Sequence, residues 1–233
     1  MIDIGGGTTD LAVFKDGIIR HTAVIPFGGN VITDDIKEGC SIIEKQAELL
    51  KIKFGSAWPG ENKENEIVSI PGLRGRDPKE ITLKNLSKII HARTVEIVEQ
   101  VYLEIKNYGH EEQKKKLIAG IVLTGGGSQL KHIKQLVEYI TGMDTRVGYP
   151  NEHLAGDTDK DVTIPLFATA VGLVLDGLKR FEKDINEKAE VKEVDNTDGE
   201  ENKPEQESEV RTERPGFLDS FKDKLTEFLD NAE

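Results

Sequence analysis

Several features that mark large classes of protein are scarce in this sequence. Among its 233 residues there is a single cysteine, Cys40, and aromatic residues make up only 6%. One cysteine excludes a framework of disulfides within the chain, which fits a reducing compartment. The neighbours of Cys40 are Gly39 and Ser41. This setting predicts that Cys40 is a small buried side chain rather than a nucleophile.

Basic residues are in the minority as well. The sequence has 31 Lys and Arg against 43 Asp and Glu, a formal net charge of −12. A nucleic-acid-binding protein needs a basic face to displace counterions. No cluster of Lys or Arg supplies one here, so we expect no nucleic-acid partner. The five histidines are scattered and form no pair at metal-ligand spacing.

Long apolar runs are missing too. No stretch approaches the ~20 apolar residues of a transmembrane helix. No basic segment followed by an apolar one opens the sequence as in a signal peptide. The opening run, Met1 to Ile4, meets three glycines at once, although strands usually have about five residues. We therefore expect the sequence to begin inside a longer, N-terminally truncated protein.

The first glycine-rich segment lies between two predicted strands and reads Asp3-Ile4-Gly5-Gly6-Gly7-Thr8-Thr9-Asp10. Glycines lack a Cβ, so their backbone can approach a ligand closely. Successive N–H groups of such a turn can bind phosphate oxygens, and the two threonines add hydroxyl donors. Asp3 could hold Mg²⁺ through water, because this ion prefers oxygen ligands. An ordinary hairpin with a glycine turn would explain the segment equally well if it stood alone.

The second glycine-rich segment is Gly125-Gly126-Gly127-Ser128, after the apolar run Gly120 to Thr124. That run predicts a buried strand, and the apolar spacing after the glycines predicts a helix. Strand, glycines and helix start together can bind an anion or a nucleotide at the helix N-terminus. Many α/β proteins have glycines at such a connection, so this segment is weak evidence by itself.

The two segments together are more specific. A mostly helical region separates a hairpin-type glycine turn from a strand-to-helix one. This arrangement resembles the second lobe of the actin-like ATPases, with the second phosphate loop at Ile2–Asp10 and the adenosine motif at Ile121–Ser128. Further stretches resemble the FtsA family within that superfamily: Ile19-Arg20-His21-Thr22, Ala47-Glu48-Leu49-Leu50-Lys51, Gly55-Ser56-Ala57 and Ile90-His91-Ala92-Arg93. The resemblance covers about residues 1–180.

The resemblance implies an α/β fold, the actin-like or ribonuclease H-like ATPase lobe, with a small inserted α+β subdomain. We assign residues 1–40 and 118–181 to the core of the lobe and residues 41–117 to the insertion. Residues 182–214 are rich in acidic residues and contain no aromatic residue, which predicts a disordered linker. Residues 215–233 are assigned to an amphipathic helix.

The resemblance also implies ATP and Mg²⁺ as ligands of the intact protein. It places phosphate contacts at Gly5, Gly6, Gly7, Thr8 and Thr9, and the metal-associated aspartate at Asp3. Gly125, Gly126, Gly127 and Ser128 would lie under the ribose and α-phosphate. Glu48 and Lys51, which share a helix face, match a Glu-x-x-Lys pair that contacts the nucleoside; a solvated ion pair is the alternative. Since the first lobe is absent, we expect weak or no ATP binding and no hydrolysis by this chain.

A partner is implied as well. Arg93 and Glu96 match the helix surface on which the FtsA family holds the acidic C-terminal peptide of the tubulin-like division protein FtsZ. A solvated helix face is the alternative, because a surface ion pair is worth only about 0–1 kcal/mol.

The end of the sequence has its own pattern. At about 100° per residue, its apolar side chains share one face of a helix; they are Phe217, Leu218, Phe221, Leu225, Phe228 and Leu229. Such a helix can lie in the plane of a membrane surface. The segment is acidic overall, so binding would depend on the apolar face. Docking of the helix on protein is the alternative.

Together with the pattern of the tail, the resemblance implies a division protein that self-associates and anchors FtsZ filaments to the cytoplasmic side of the membrane at the septum. ATP would control its assembly, with at most slow hydrolysis. The alternatives are other proteins of the same superfamily: a chaperone, a small-molecule kinase, or a shape-determining or pilus-assembly protein.

Overall fold

The computed structural model describes residues 1–63, 65–72, 75, 77–110, 117, 119–152, 154 and 160–194. The predicted tail helix and most of the predicted linker lie outside these described residues. Residues Met1–Glu182 form one compact unit, and the packing described below concerns this unit.

Seven strands and five α-helices are found in the described residues, and the last helix continues beyond Glu182. The strands are β1 (Ile2–Ile4), β2 (Thr9–Lys15), β3 (Ile18–Ile25), β4 (Ile67–Ile70), β5 (Lys79–Thr82), β6 (Ile121–Thr124) and β7 (Thr145–Val147). The helices are α1 (Gly29–Cys40), α2 (Glu44–Phe54), α3 (Leu83–Ile105), α4 (Ile133–Thr141) and α5 (Ala168–Val194). Five strands form one sheet in the order β3-β2-β1-β6-β7, and β4 pairs with β5 in a separate hairpin.

The main sheet is mixed. Strands β1, β2 and β3 pair antiparallel, whereas β6 pairs parallel with both β1 and β7. The turn between β2 and β3 has Asp16 at φ 56° and Gly17 at φ 73°. An Asp-Gly pair adopts these angles readily, which explains why the sequence predicts this hairpin. In β2, Thr9, Leu11 and Val13 are buried and alternate with more exposed residues, the period expected of a strand covered on one face.

Helices α3 and α4 cover the buried face of the sheet. The first hydrophobic cluster joins strand residues such as Leu11 and Leu123 with Val101 of α3 and Leu136 of α4. A second cluster is formed by α1, α2, the β4–β5 hairpin and the first part of α3, with Ile90 at its centre. Helix α3 is therefore shared by the two clusters and connects them.

Two element boundaries differ from those predicted. The second glycine segment continues into a 3₁₀ turn, Gly126–Gln129, and α4 begins only at Ile133. Helix α5 continues to Val194, so residues 182–194 are helical although their composition predicted a disordered linker. The segment is rich in Glu, Lys and Ala, which are strong helix formers. The ion pair between Asp176 and Arg180, at 2.8 Å, lies on the preceding turn of the same helix.

The parallel register of β1 and β6 brings the two glycine turns together. Asp3 pairs with Thr124, so both strands end at the same edge of the sheet. Gly125 has φ +79°, and a Cβ built on it would lie 2.1 Å from Asp3 Oδ1 and 2.6 Å from Ile4 O. Only glycine allows both this backbone conformation and this close approach.

Replacement of Gly125 by alanine is expected to lower the free energy of unfolding by about 2–5 kcal/mol, the sum of left-handed strain and overpacking. Gly142 is a matched control, because it has φ +66° and nothing would lie within 4 Å of a Cβ added to it. Gly142→Ala should lower the free energy of unfolding only by the backbone strain, about 1–2 kcal/mol. Urea denaturation followed by circular dichroism measures the free energy of unfolding of both variants. Equal decreases in the two variants would contradict the tight contact at Gly125.

Candidate functional site

A cleft of about 750 Å³ opens where the ends of β1 and β6 face the beginning of α1 and one side of α2. Eight of the residues predicted for a nucleotide site line it: Asp3, Gly5, Gly6, Glu48, Lys51, Gly125, Gly126 and Gly127. Gly7, Thr8, Thr9 and Ser128 are not among its lining residues. The fold thus brings both glycine turns and the Glu-x-x-Lys pair to one place.

The first glycine turn is braced by its own hydrogen bonds. The N–H of Gly5 donates to Thr8 O at 2.9 Å. The carbonyls of Gly5 and Gly6 accept hydrogen bonds from the N–H groups of Gly29 and Asn30, each at 2.8 Å. These N–H groups begin α1 and would otherwise lack partners inside the helix. The turn therefore also caps α1.

Two N–H groups of this turn, those of Gly6 and Gly7, are not used in bracing it. Within the described ranges, the N–H groups of Gly6 and Gly7 have no backbone acceptor. Consecutive free N–H groups in a glycine turn form a concave anion-binding surface. These two donors are available to a ligand, and phosphate contacts at this turn stay a prediction.

The two threonines of the turn have different roles. Thr8 is exposed, and its hydroxyl donates to Asp10 Oδ2 at 3.0 Å. Thr9 is fully buried, and its hydroxyl donates to Phe27 O at 2.8 Å. The Thr9 hydroxyl thus stabilises the fold, and it is not part of the cleft surface.

The second glycine turn differs from the predicted strand-to-helix connection. Residues Gly126–Gln129 form a 3₁₀ turn, so the glycines do not open an α-helix. Ser128 is buried, and its hydroxyl donates to Gly125 O at 2.7 Å. The N–H of Gly125 donates to Pro165 O at 3.1 Å. The three glycines line the cleft, and the buried Ser128 hydroxyl stabilises the turn.

Lys51 ties α2 to the start of α1. Its Nζ lies 2.7 Å from Glu48 Oε2, and it donates to Gly29 O at 2.8 Å and to Thr33 Oγ1 at 2.7 Å. The Thr33 hydroxyl also donates to the Glu48 carboxylate. The Lys51 side chain is only 12% exposed, against 41% for Glu48. A mostly buried cation with fixed partners thus forms part of the cleft wall.

Asp3 is held from across the cleft. Its Oδ2 accepts a hydrogen bond from Thr169 Oγ1 of α5 at 2.9 Å. Asp10 also lines the cleft and pairs with Asp3 across β1 and β2. In the ranges that the structure describes, no group of three or more His, Cys, Asp or Glu residues could hold a metal ion. A magnesium ion here would therefore need water or phosphate oxygens beside Asp3 and Asp10.

The cleft also contains residues that the sequence did not single out: Asp10, Gly29, Asn30, Ile32, Ile52, Gln129, Leu130, Ile164, Leu166 and Thr169. Asp10 could have been predicted from the sequence, because it ends the first glycine segment and an antiparallel pairing of the two flanking strands places it opposite Asp3. Thr169 lies 166 positions from Asp3, and no local pattern connects the two.

Arg93 and Glu96 form a separate cluster with Asp35 of α1. Arg93 Nε donates to Asp35 Oδ2 at 2.6 Å, and its second terminal nitrogen donates to Asp35 Oδ1 at 3.0 Å. The first terminal nitrogen donates to Glu96 Oε2 at 2.5 Å. The hydrogen bond to Asp35 raises the pKa of the Arg93 guanidinium further above its already high value. Asp35 was not predicted from the sequence, because it lies 58 positions away on another helix.

The predicted membrane-binding residues lie outside the described residues: Phe217, Leu218, Phe221, Leu225, Phe228 and Leu229. Among the helices that the structure describes, none combines the length and the apolar character needed to cross a membrane.

Solved structures with a similar fold support the predicted fold class. The crystal structure of MreB5 of Spiroplasma citri bound to ADP has a TM-score of 0.57 and 27% identity, covering 81% of this chain and 54% of that one. The PilM–PilN type IV pilus biogenesis complex has a TM-score of 0.56 at 19% identity, covering 76% of this chain and 44% of that one. The second likeness concerns the fold alone. The predicted α/β, actin-like fold class is confirmed.

Sequence comparison distinguishes the FtsA family from the other actin-like families. The family model of cell division protein FtsA matches residues 1–172. The chain is 42% identical over 174 residues to cell division protein FtsA of Neisseria meningitidis serogroup B, covering 75% of this chain and 41% of that protein. It is 35% identical over 195 residues to FtsA of Escherichia coli K12, covering 82% of this chain and 45% of that protein. The chain thus spans less than half the length of these relatives, and it belongs to the FtsA family of cell division proteins.

Proposed function

We propose that the protein anchors FtsZ filaments to the cytoplasmic side of the cell membrane at the division septum. ATP and Mg²⁺ bound in the cleft would control its self-association. One observation supports the nucleotide role above all: two glycine turns, the Glu48–Lys51 pair and Asp3 line one cleft in a chain of the FtsA family.

The cleft has the chemistry that a nucleoside triphosphate requires. The free N–H groups of Gly6 and Gly7 would bind phosphate oxygens, and Lys51 adds a positive charge nearby. The second glycine turn would lie under the ribose. Asp3 and Asp10 would hold Mg²⁺ through water, and the ion would neutralise phosphate charge. The similar MreB5 structure, which holds ADP, is consistent with this assignment.

Nucleotide affinity depends on how many groups contact the phosphates. Each charge-assisted hydrogen bond contributes about 1.5–3 kcal/mol. A site built from the groups of this chain alone would therefore bind orders of magnitude more weakly than a cleft with a second wall. We propose weak ATP binding and no turnover for this chain, and at most slow, regulatory turnover where a longer protein completes the cleft.

The FtsZ contact is assigned to α3. Arg93 and Glu96 lie on this helix, and their side chains are 25% and 46% exposed. A guanidinium matches a carboxylate with two parallel hydrogen bonds. The acidic C-terminal peptide of FtsZ is thus a chemically suitable ligand for this surface.

Membrane attachment is assigned to residues 215–233, from their sequence pattern. Six Phe and Leu side chains would share one helix face, and each one buried fully contributes at most ~1.5–3 kcal/mol. The net negative charge of the segment opposes binding to anionic lipid. We therefore expect reversible binding that strengthens when several copies assemble.

A negative charge in the first glycine turn should weaken nucleotide binding. Gly7 is a suitable position, because nothing lies within 4 Å of a Cβ built on it. We expect Gly7→Asp to weaken Mg·ATP binding by at least about tenfold through repulsion of the phosphates. Gly7→Asn has nearly the same shape without the charge and should bind like the unchanged chain. Saturation-transfer NMR of ATP detects such weak binding, and equal signals from all three proteins would contradict phosphate contacts at this turn.

Removal of the tail should abolish membrane binding. In co-sedimentation with lipid vesicles, the chain of residues 1–233 is expected to pellet, whereas a version ending at Arg214 should stay in solution. The double variant Phe221→Ala/Phe228→Ala should also lose binding, because it removes apolar area from the proposed face.

The matched control changes the polar face of the same segment, with Asp223→Ala and Thr226→Ala. This control should pellet at least as well as the unchanged chain. If every version stays in the supernatant at high lipid, the tail is a protein-docking helix and the membrane role is wrong.

A further inference from the structure

The carboxylate of Asp35 occupies the position on Arg93 that a ligand carboxylate would need. Both of its oxygens are engaged, Oδ2 with Nε at 2.6 Å and Oδ1 with a terminal nitrogen at 3.0 Å. This is the two-bond geometry with which a guanidinium recognises a free carboxylate. An acidic peptide therefore finds two of the Arg93 nitrogens already bonded to the Asp35 carboxylate.

The charge of the cluster leads to the same conclusion. One positive charge, on Arg93, faces two negative charges, on Asp35 and Glu96. The cluster as a whole is negative, so it does not attract an acidic peptide. Binding through Arg93 requires that one of the two carboxylates withdraws.

The two carboxylates are not equivalent. Glu96 makes one hydrogen bond to Arg93 and is 46% exposed, whereas Asp35 makes two and is 29% exposed. The more exposed Glu96 can turn into solvent at little cost. Asp35 is the stronger competitor, and its helix α1 packs against α3 through the second hydrophobic cluster.

We propose that Asp35 is an intramolecular competitor that lowers the affinity of Arg93 for acidic peptides. A ligand carboxylate can bind Nε and the terminal nitrogen of Arg93, here called the guanidinium fork, only by displacing Asp35. The observed affinity is therefore the intrinsic affinity multiplied by the fraction of molecules in which the fork is free. This proposal rests on the proposed FtsZ contact and identifies Asp35 as the residue that limits the affinity of that contact.

The neighbouring residue offers a matched control. Asp34 is paired with Lys37 at 2.7 Å and has no contact with Arg93 among the described residues. Asp34→Asn and Asp35→Asn therefore change the net charge equally, but only the second frees the guanidinium. Any difference between them reports the local contact and not the overall charge.

Peptide binding is the first measurement. A fluorescein-labelled peptide of the acidic FtsZ C-terminus is titrated with each variant, and fluorescence anisotropy gives the affinity. Asp35→Asn should bind about threefold to tenfold more tightly than the unchanged chain, as expected for release of a partly exposed ion pair. Asp34→Asn should change the affinity less than twofold, and Arg93→Ala should abolish the gain in an Asp35→Asn background. Circular dichroism confirms that each variant is folded.

A second measurement does not depend on the peptide. Phenylglyoxal modifies accessible guanidinium groups, and mass spectrometry of proteolytic fragments reports the rate at Arg93. The rate should rise in Asp35→Asn and stay unchanged in Asp34→Asn. The rate reports directly whether Asp35 engages the Arg93 guanidinium, without any peptide.

The outcomes separate the inference from the function on which it rests. Tighter binding and faster modification in Asp35→Asn alone support the competitor role. Weaker peptide binding in Asp35→Asn would overturn it, because Asp35 would then position Arg93 for the ligand. Unchanged modification would overturn it as well. If modification accelerates but no variant binds the peptide, Asp35 does mask Arg93, and the proposed FtsZ contact is wrong.

Discussion

The parallel pairing of β1 with β6 is the interaction on which the candidate site depends. Because Asp3 pairs with Thr124, two glycine turns that are more than a hundred positions apart leave the sheet side by side. The contact is so close that Gly125 has no room for a Cβ beside Asp3 and Ile4. A side chain at Gly125 would therefore push the two turns apart.

The same turns hold the second hydrophobic cluster to the sheet. The carbonyls of Gly5 and Gly6 cap α1, and Lys51 binds the first turn of α1 from α2. Helix α3 connects the two clusters on the other side. A ligand at the glycine turns would therefore touch elements that belong to both clusters. Its binding energy would favour one relative position of the two clusters, and the proposed control of assembly by a nucleotide would act in this way.

Two cations that the sequence singled out, Lys51 and Arg93, have carboxylate partners in the structure. They differ in their surroundings: the Lys51 side chain is 12% exposed, and that of Arg93 is 25% exposed. Lys51 has three oxygen acceptors in fixed positions, which suits a charge that stays in place while a ligand binds. Arg93 lies between two carboxylates that are themselves partly exposed, so a ligand can compete for it.

Local sequence determined much of this protein. Glycine runs and apolar patterns predicted the strands on either side of the first glycine turn, the strand β6 and a mostly helical region between the two turns, because turn chemistry and apolar spacing act over a few residues. The glycine turns also identified one wall of the cleft.

Only the tertiary structure decided which distant side chains meet. It placed Thr169 on Asp3 and Asp35 on Arg93, used the hydroxyls of Thr9 and Ser128 inside the fold, and inserted a 3₁₀ turn before α4. These outcomes depend on strand register and helix packing, which join residues without any common local pattern. The extension of α5 to Val194 has a local cause, since its charged residues are good helix formers, whereas composition alone indicated disorder.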